Sequence, residues 1–397
     1  MSALAGADAQ GPLIFLVAGE PSGDQLGARL MAALRGETGG KVRFAGVGGP
    51  RMAEQGLESL FPIDELAVMG LIEVIPKIPL VWRRIRQTAA AARVARPAAL
   101  VTIDAPSFTL EVSQRLKGEG FPLVHYVAPS VWAWKAWRAE RMARYLDHLL
   151  ALLPFEPPYF ERHGLATTVV GHPAVEAPAR TPDPAAFRRR LGIADDATLV
   201  SVLPGSRRGE VRRHEPVMAG ALALLKARFP KLHVLAPTVP TVAAEIEARA
   251  KAWPVPSSVL RESGDKFEAF AASQAAMATS GTIAVELAMA ELPATILYRV
   301  GPVTAVLGRA LLKIKFASLI NLLLDRAVQI ELLQEDCTAE RVAETVAALV
   351  ADEERRAAYV AGCREATAMM GRGGEAPSRR AARAILSLIG GGPESAG

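Results

Sequence analysis

Apolar residues recur along this chain in short runs of strand length. The first, LIFLVA at 13–18, is continuous rather than alternating. Similar runs follow at 42–45, 98–103, 123–127, 148–153 and 167–170. A strand that is apolar on both faces fits a parallel sheet covered on both sides. Segments of helical character lie between the runs, the first ending near 34. Strand and helix in alternation predict βαβ units and a doubly wound α/β domain. The pattern pauses at Gly171-His172-Pro173, and 173–184, rich in Pro and Ala, reads as a linker. A second set then begins, with strands expected at 198–203, 232–236, 257–260, 275–278 and 294–298. Helices are expected at 209–227, 242–252 and 282–289. Two α/β domains are therefore expected, 1–172 and 173–374. Beyond the glycine-bearing loop 371–374 lies a last helix, about 376–389. The sequence leaves open whether the C-terminal helix region, 375–397, returns to the first domain or docks on a partner in a homodimer.

The length of 397 residues agrees with two or three domains. Half of the residues are apolar, which excludes a disordered chain. The formal net charge of +5 suits acidic small molecules, anionic lipid or nucleic acid, without choosing among them. Cys337 and Cys363 are the two cysteines, too few for a disulfide framework or zinc spacing, so a reducing compartment is expected. No uninterrupted apolar run approaches the ~20 residues of a membrane span. The nearest stretch, 303–324, is broken by Arg309, Lys313 and Lys315. No basic segment precedes 13–18 as in a secretory leader. A cytoplasmic protein that does not span the membrane is expected.

Ligands of doubly wound sheets sit at the carboxyl ends of the strands. The polar residues of interest fall there, and two such domains face to face would line one interdomain cleft with them. The stretch 199–214, LVSVLPGSRRGEVRRH, is a strand, a small-residue turn with Ser206, and a helix start carrying Arg207, Arg208, Arg212 and Arg213. Backbone amides and the helix dipole make such a turn an anion site, and arginine adds bidentate contacts to phosphate. A second such turn contains Ser280, Gly281 and Thr282, with Glu286 one helical turn further on, where a carboxylate could accept from ribose hydroxyls. Simple N-capping by Ser280 or Thr282 is the alternative. Asp104 ends the strand at 98–103 and suits either a general base or a turn aspartate. Glycines 19, 23 and 27 do not make the three-glycine dinucleotide fingerprint, so the loop with Glu20, Ser22 and Asp24 is read as a seat for a sugar or phosphate.

Two further stretches carry surface chemistry. Residues 127–141 interleave Trp132, Trp134 and Trp137 with Lys135, Arg138 and Arg141. That pattern fits nucleic-acid stacking, sugar stacking, a membrane interface, or a packed loop with a wet basic edge. No nucleic-acid-binding motif accompanies it. Residues 68–86 are strongly apolar, include Val68, Met69, Ile72 and Trp82, and close on Arg83, Arg84 and Arg86. They fit acyl chains or an anionic lipid surface, or equally a buried helix pair. His125, His163 and His172 lack metal-ligand spacing, and no metal is expected. His172, at the hinge, is the histidine of most interest.

The motifs taken together resemble one family, lipid-A-disaccharide synthase, a bacterial glycosyltransferase of GT-B architecture. They are GEPSGD at 19–24, GVGGPRM at 46–52, LAVMGLIEV at 66–74, IDAP at 103–106, HYVAPSVWAW at 125–134, LPFE at 153–156, GHP at 171–173, LPGSRRGE at 203–210, the segment 280–286, and ELLQED at 331–336. The resemblance implies two Rossmann-like domains, no cofactor, and transfer of 2,3-diacylglucosamine from UDP to 2,3-diacylglucosamine 1-phosphate with inversion, forming a β-1,6 disaccharide. It implies Asp104 as base and Arg207 as the cation on departing UDP. Ser206, Ser280, Gly281, Thr282 and Glu286 would hold diphosphate and ribose, with Asn321 and Gln334 in the same site. Glu20, Ser22, Asp24, Val68, Met69, Ile72 and Trp82 would serve the acceptor or acyl chains. Both lipid substrates imply a peripheral position on the anionic cytoplasmic face of the inner membrane, and no nucleic acid. The chain departs from the family in having Ile320, where Pro is usual, before Asn321. Another UDP-sugar enzyme of this architecture, an epimerase or a different lipid glycosyltransferase, is the alternative reading.

Overall fold

The computed structural model describes residues 11–66, 78–176, 182–301 and 315–390. The chain forms two compact units, Met1–Glu176 with Met370–Gly397, and Ala177–Met369.

The first unit runs β1 (Leu13–Ala18), α1 (Pro21–Glu37), β2 (Arg43–Val47), α2 (Pro50–Glu54), α3 (Ile78–Ala95), β3 (Ala99–Ile103), α4 (Pro106–Arg115), β4 (Leu123–Tyr126), α5 (Trp137–Ala143), β5 (His148–Ala151), α6 (Pro157–Glu161) and β6 (Ala166–Val169). Its six strands lie in the order β2-β1-β3-β4-β5-β6. Each pairing is parallel, with Ile14 opposite Ala99 and Leu100 opposite Leu123. The continuous apolar run of β1 is explained by helices on both sheet faces. Ile14, Leu16 and Ala18 pack into one core with Leu26, Leu30 and Leu34 of α1. Phe15 and Val17 pack into the other with Ile85 of α3 and Val112 of α4.

The second unit runs α7 (Pro184–Arg190), β7 (Thr198–Leu203), α8 (Arg208–Arg228), β8 (Leu232–Pro237), α9 (Ala243–Ala250), β9 (Ser257–Leu260), α10 (Ser263–Ala272), β10 (Ala275–Thr279), α11 (Thr282–Met289), β11 (Ala294–Tyr298), α12 (Leu319–Leu324), β12 (Ile330–Leu333), α13 (Ala339–Ala351) and α14 (Glu353–Met369). Its six strands are ordered β12-β11-β10-β7-β8-β9, again parallel. The sequence pattern did not mark β12, a short run interrupted by Glu331. The last helix, α15 (Pro377–Gly390), packs on α1 of its own chain and buries Ala381, Ala382 and Ile385 there. Arg379 and Arg383 both bond Glu37, whose carboxyl they hold below the usual carboxylate range.

Strand order fixes where ligands can sit. In each sheet the chain starts on an inner strand, builds one way, then returns to build the other. The crevice where direction reverses lies between β1 and β3 in the first unit and between β7 and β10 in the second. Its carboxyl-end mouth is the binding position of doubly wound sheets.

Candidate active site

At the first reversal, β1 turns through Gly19 and Glu20 into α1, which has Pro21 at its first position, where no amide hydrogen is needed. A Cβ on Gly19 would lie 2.8 Å from the Cβ of Ala105, so only glycine lets the two strand ends approach. Asp104 and Ala105 have φ of 50° and 43°, two consecutive non-glycine residues in the left-handed region. Each costs about 1–3 kcal/mol of backbone strain. The surroundings hold them: Asp104 donates its amide to the Tyr126 carbonyl at 2.9 Å, and Thr109 donates its hydroxyl to the Asp104 carbonyl at 2.5 Å. The turn aims the half-buried Asp104 carboxylate across the crevice, where Oδ2 accepts from the Ser22 hydroxyl at 3.1 Å. Among the described residues Oδ1 has no partner, so one oxygen remains to take a proton.

The other acidic residues of this turn differ. Glu20 is exposed at the N-cap position of α1. Asp24 is only 4% exposed. It accepts from the amides of Gly49, Arg51 and Met52 at 2.8, 3.1 and 3.0 Å, and so caps α2. It fixes the 46–52 loop instead of facing a ligand.

Val68, Met69 and Ile72 lie outside the described residues. Trp82 is 42% exposed on α3, with Ile78 a turn away at 43%, while Ile85 on the same helix is buried in a core shared with α4. The Arg115 guanidinium lies 4.9 Å from the Trp82 ring centre. In the tryptophan loop, Trp132 packs edge-on against Phe155, while Trp134 and Trp137 are exposed. Lys135 and Arg138 both lie over Trp134. His125 and His172 are structural. Burial drives His125 down to about 3 and His172 to about 4, and His172 Nδ1 accepts from the Ala174 amide at 3.2 Å. Glu156, which sequence reasoning passed over, is buried at the end of β5. Burial raises its carboxyl to about 7 although it accepts from the Leu152 and Leu153 amides.

At the second reversal, the turn after β7 departs from the expected open anion loop. Glu210 folds back so that Oε2 accepts from the Ser206 and Arg207 amides at 3.0 and 3.2 Å, and Oε1 from Arg207 Nη1 at 3.2 Å. A carboxylate three residues into a helix is drawn to the same positive end that would attract an external anion. Gly205 is needed here, because at its φ of 133° a Cβ would lie 2.4 Å from that of Glu210. The Arg207 side chain is 70% exposed and its remaining donors face solvent.

The turn after β10 is the open one. Ser280 donates its hydroxyl to the Ala317 carbonyl at 3.2 Å, so it does not cap α11. Gly281 takes the N-cap position with no side-chain cap. The first amides of α11 are therefore left for a ligand anion. Ser206, Arg207, Ser280, Gly281, Thr282 and Glu286 line one cavity of about 390 Å³, together with Lys266 of α10. Lys266 Nζ donates to Glu286 Oε2 at 2.8 Å. The sequence offered no signal for Lys266, a lone lysine outside any strand-end motif. A larger hollow of about 520 Å³ lies at the amino ends of β10 and β11, lined by Gln274, Leu292 and Pro293, and holds none of the expected residues.

Asn321 and Gln334 do not line that cavity. Asn321 is buried, and its amide group donates to the Gln329 carbonyl and Glu331 Oε1 and accepts from the Val328 and Gln329 amides, all at 2.7–2.8 Å. Its capacity is used inside the protein. The preceding Ile320 donates its amide to the Ser318 hydroxyl at 3.2 Å, a cap bond that proline could not make. Gln334, with φ of 49°, accepts from the Val300 amide at 3.4 Å. Among the described residues no group of three or more His, Cys, Asp or Glu could hold a metal ion, and no helix is long and apolar enough to cross a membrane.

The chain matches known proteins over nearly its whole length. A family model described as lipid-A-disaccharide synthetase matches residues 14–385. The lipid-A-disaccharide synthase of Rhodospirillum centenum is 52% identical over 379 residues, 95% of this chain and 94% of that protein. That of Paramagnetospirillum magneticum is 50% identical over 386 residues, 96% of this chain and 99% of that protein. Among solved structures, MurG of Acinetobacter baumannii superposes with a TM-score of 0.59 at 14% identity, covering 95% of this chain and 99% of that one. A UDP co-structure of MnaA from S. aureus has a TM-score of 0.59 at 13% identity, covering 95% and 96%. The fold they share is GT-B. The chain belongs to the lipid-A-disaccharide synthetase family and is a glycosyltransferase of lipid A biosynthesis.

Proposed function

We propose that the chain transfers 2,3-diacylglucosamine from its UDP donor to the 6-hydroxyl of 2,3-diacylglucosamine 1-phosphate, with inversion. The observation that carries this reading is the cavity at the β7–β10 reversal, where Arg207 and the uncapped start of α11 converge. The α11 amides and Thr282 receive the diphosphate, and Glu286 accepts from the ribose. Asp104, oriented by Ser22, takes the proton of the acceptor hydroxyl. The hydroxyl oxygen bonds to the anomeric carbon as the bond to the diphosphate breaks. UDP leaves with the electron pair, and Arg207 and the helix end offset its charge. Asn321 acts through the loop it braces.

The acyl chains of both substrates call for a protein that works at a lipid surface. Exposed Ile78 and Trp82, continuing the apolar stretch 68–77 and bordered by Arg83 and Arg86, support peripheral contact with anionic lipid.

Mass spectrometry of products from both lipid substrates tests the reaction. Disaccharide 1-phosphate is expected, with UDP released only when the acceptor is present. UDP release without the acceptor would favour the epimerase-like alternative. Asp104→Ala and Arg207→Ala are expected to melt as the wild type does and to lose about 10²–10⁴-fold in kcat. Wild-type turnover in either variant would remove the role assigned to it.

A further inference from the structure

Glu286 poses an electrostatic difficulty. It stands one turn along α11 from the amides that would receive a diphosphate, and an unbalanced carboxylate there would repel that group. The structure supplies the balance. Lys266, in the first turn and a half of α10, reaches the same cavity wall and donates to Glu286 Oε2 at 2.8 Å. Both side chains are mostly buried, 29% and 27% exposed, so solvent screens the pair less than a surface pair. The Lys266 ammonium also lies 5.0 Å from the centre of the Phe267 ring, which limits its freedom. With Oε2 held, Oε1 is the oxygen of Glu286 available to a ligand hydroxyl.

We propose that Lys266 is a specificity-determining residue of the nucleotide site: its ammonium cancels the Glu286 charge and turns that carboxylate so that the pair selects a ribose diol beside a diphosphate. The inference rests on reading the β7–β10 cavity as the UDP site. It predicts discrimination at the sugar of the nucleotide, a property that neither residue would provide alone. Without Lys266, Glu286 would oppose the diphosphate, and its carboxylate would no longer be held with Oε1 turned to the diol.

Calorimetric binding of UDP, 2′-deoxy-UDP and 3′-deoxy-UDP to the full chain tests this. Lys266→Met is expected to weaken UDP binding about 10- to 100-fold and to reduce the preference for UDP over the deoxy analogues. Lys266→Arg should restore part of both. Adding Glu286→Gln to Lys266→Met should recover affinity for UDP, because the unbalanced charge is then gone, without recovering the preference. Wild-type affinity and wild-type preference in Lys266→Met, with an unchanged melting temperature, would overturn the proposal. Failure of the wild-type protein to bind UDP at all would instead overturn the reading of the cavity.

Discussion

At the scale of single residues, the chemistry depends on groups held in conformations that their side chains alone would not choose. Asp104 and Ala105 sit in the left-handed region because the Tyr126 carbonyl and the Thr109 hydroxyl over-determine them. Buried titratable groups make stability depend on pH in opposing ways. His172, lowered to about 4, refuses a proton that the unfolded chain accepts below about 6.5. Its contribution is present above that value and is lost as pH falls from about 6.5 toward 4. Glu156, raised to about 7, keeps a proton that the unfolded chain releases above about 4.5, so its contribution is lost as pH rises from about 4.5 to 7. Relative to the wild type, His172→Asn is therefore expected to flatten the acid loss of stability between pH 6.5 and 4. Glu156→Gln is expected to steepen it between pH 7 and 4.5. Denaturant midpoints measured across that range check both, and parallel pH profiles for variant and wild type would contradict them. Asp104 and Arg207 were legible because they follow strand ends, and Glu286 because it stands one helical turn beyond such a turn. Lys266 was not, since its partner Glu286 is distant in sequence, nor was Glu156, whose shift comes from tertiary burial.

At the scale of elements, two strand-to-helix turns of similar sequence character do different work. The turn after β7 satisfies itself through Glu210, and the turn after β10 leaves the start of α11 uncapped. Sequence spacing showed Glu210 three residues beyond Arg207 but not that its carboxylate occupies the loop amides. Gly205→Ala places a Cβ against Glu210 at a left-handed φ, and is expected to cost about 1–3 kcal/mol and to weaken UDP binding by displacing Arg207. Thermal melting paired with UDP titration reads both effects. Asn321→Ala strands the Val328 and Gln329 amides and removes one of three donors to the Glu331 carboxylate, which keeps the Ala317 and Ser318 amides, and a loss of about 2–4 kcal/mol is expected. If Asn321 acts by bracing the loop, UDP affinity measured well below the melting transition falls only modestly. A loss as large as that of Arg207→Ala would mean direct contact.

At the scale of the whole molecule, the chain leaves the first unit after Glu176 and rejoins it at Met370. The return is anchored by the Ser378 amide to Glu176 and by Arg380 to the Val169 carbonyl. Lipid contact also belongs to this scale. Val68→Glu combined with Ile72→Glu is expected to lower co-sedimentation with anionic vesicles and use of acylated substrate together. Unchanged co-sedimentation would refute contact through that stretch. The sequence by itself determined the α/β class, the two sets of parallel strands and most of the residues at their carboxyl ends, because burial on both faces writes continuous apolar runs and turns demand small residues locally. Only the tertiary structure decided the strand order, and with it which ends meet at a reversal, that Ser22 reaches Asp104, that Glu210 fills one anion turn while the other stays open, and that Lys266 balances Glu286. Apart from the Glu210 turn, whose bonds span three or four residues and depend on the backbone conformation there, those outcomes depend on pairings between residues far apart in the chain, which local periodicity does not encode.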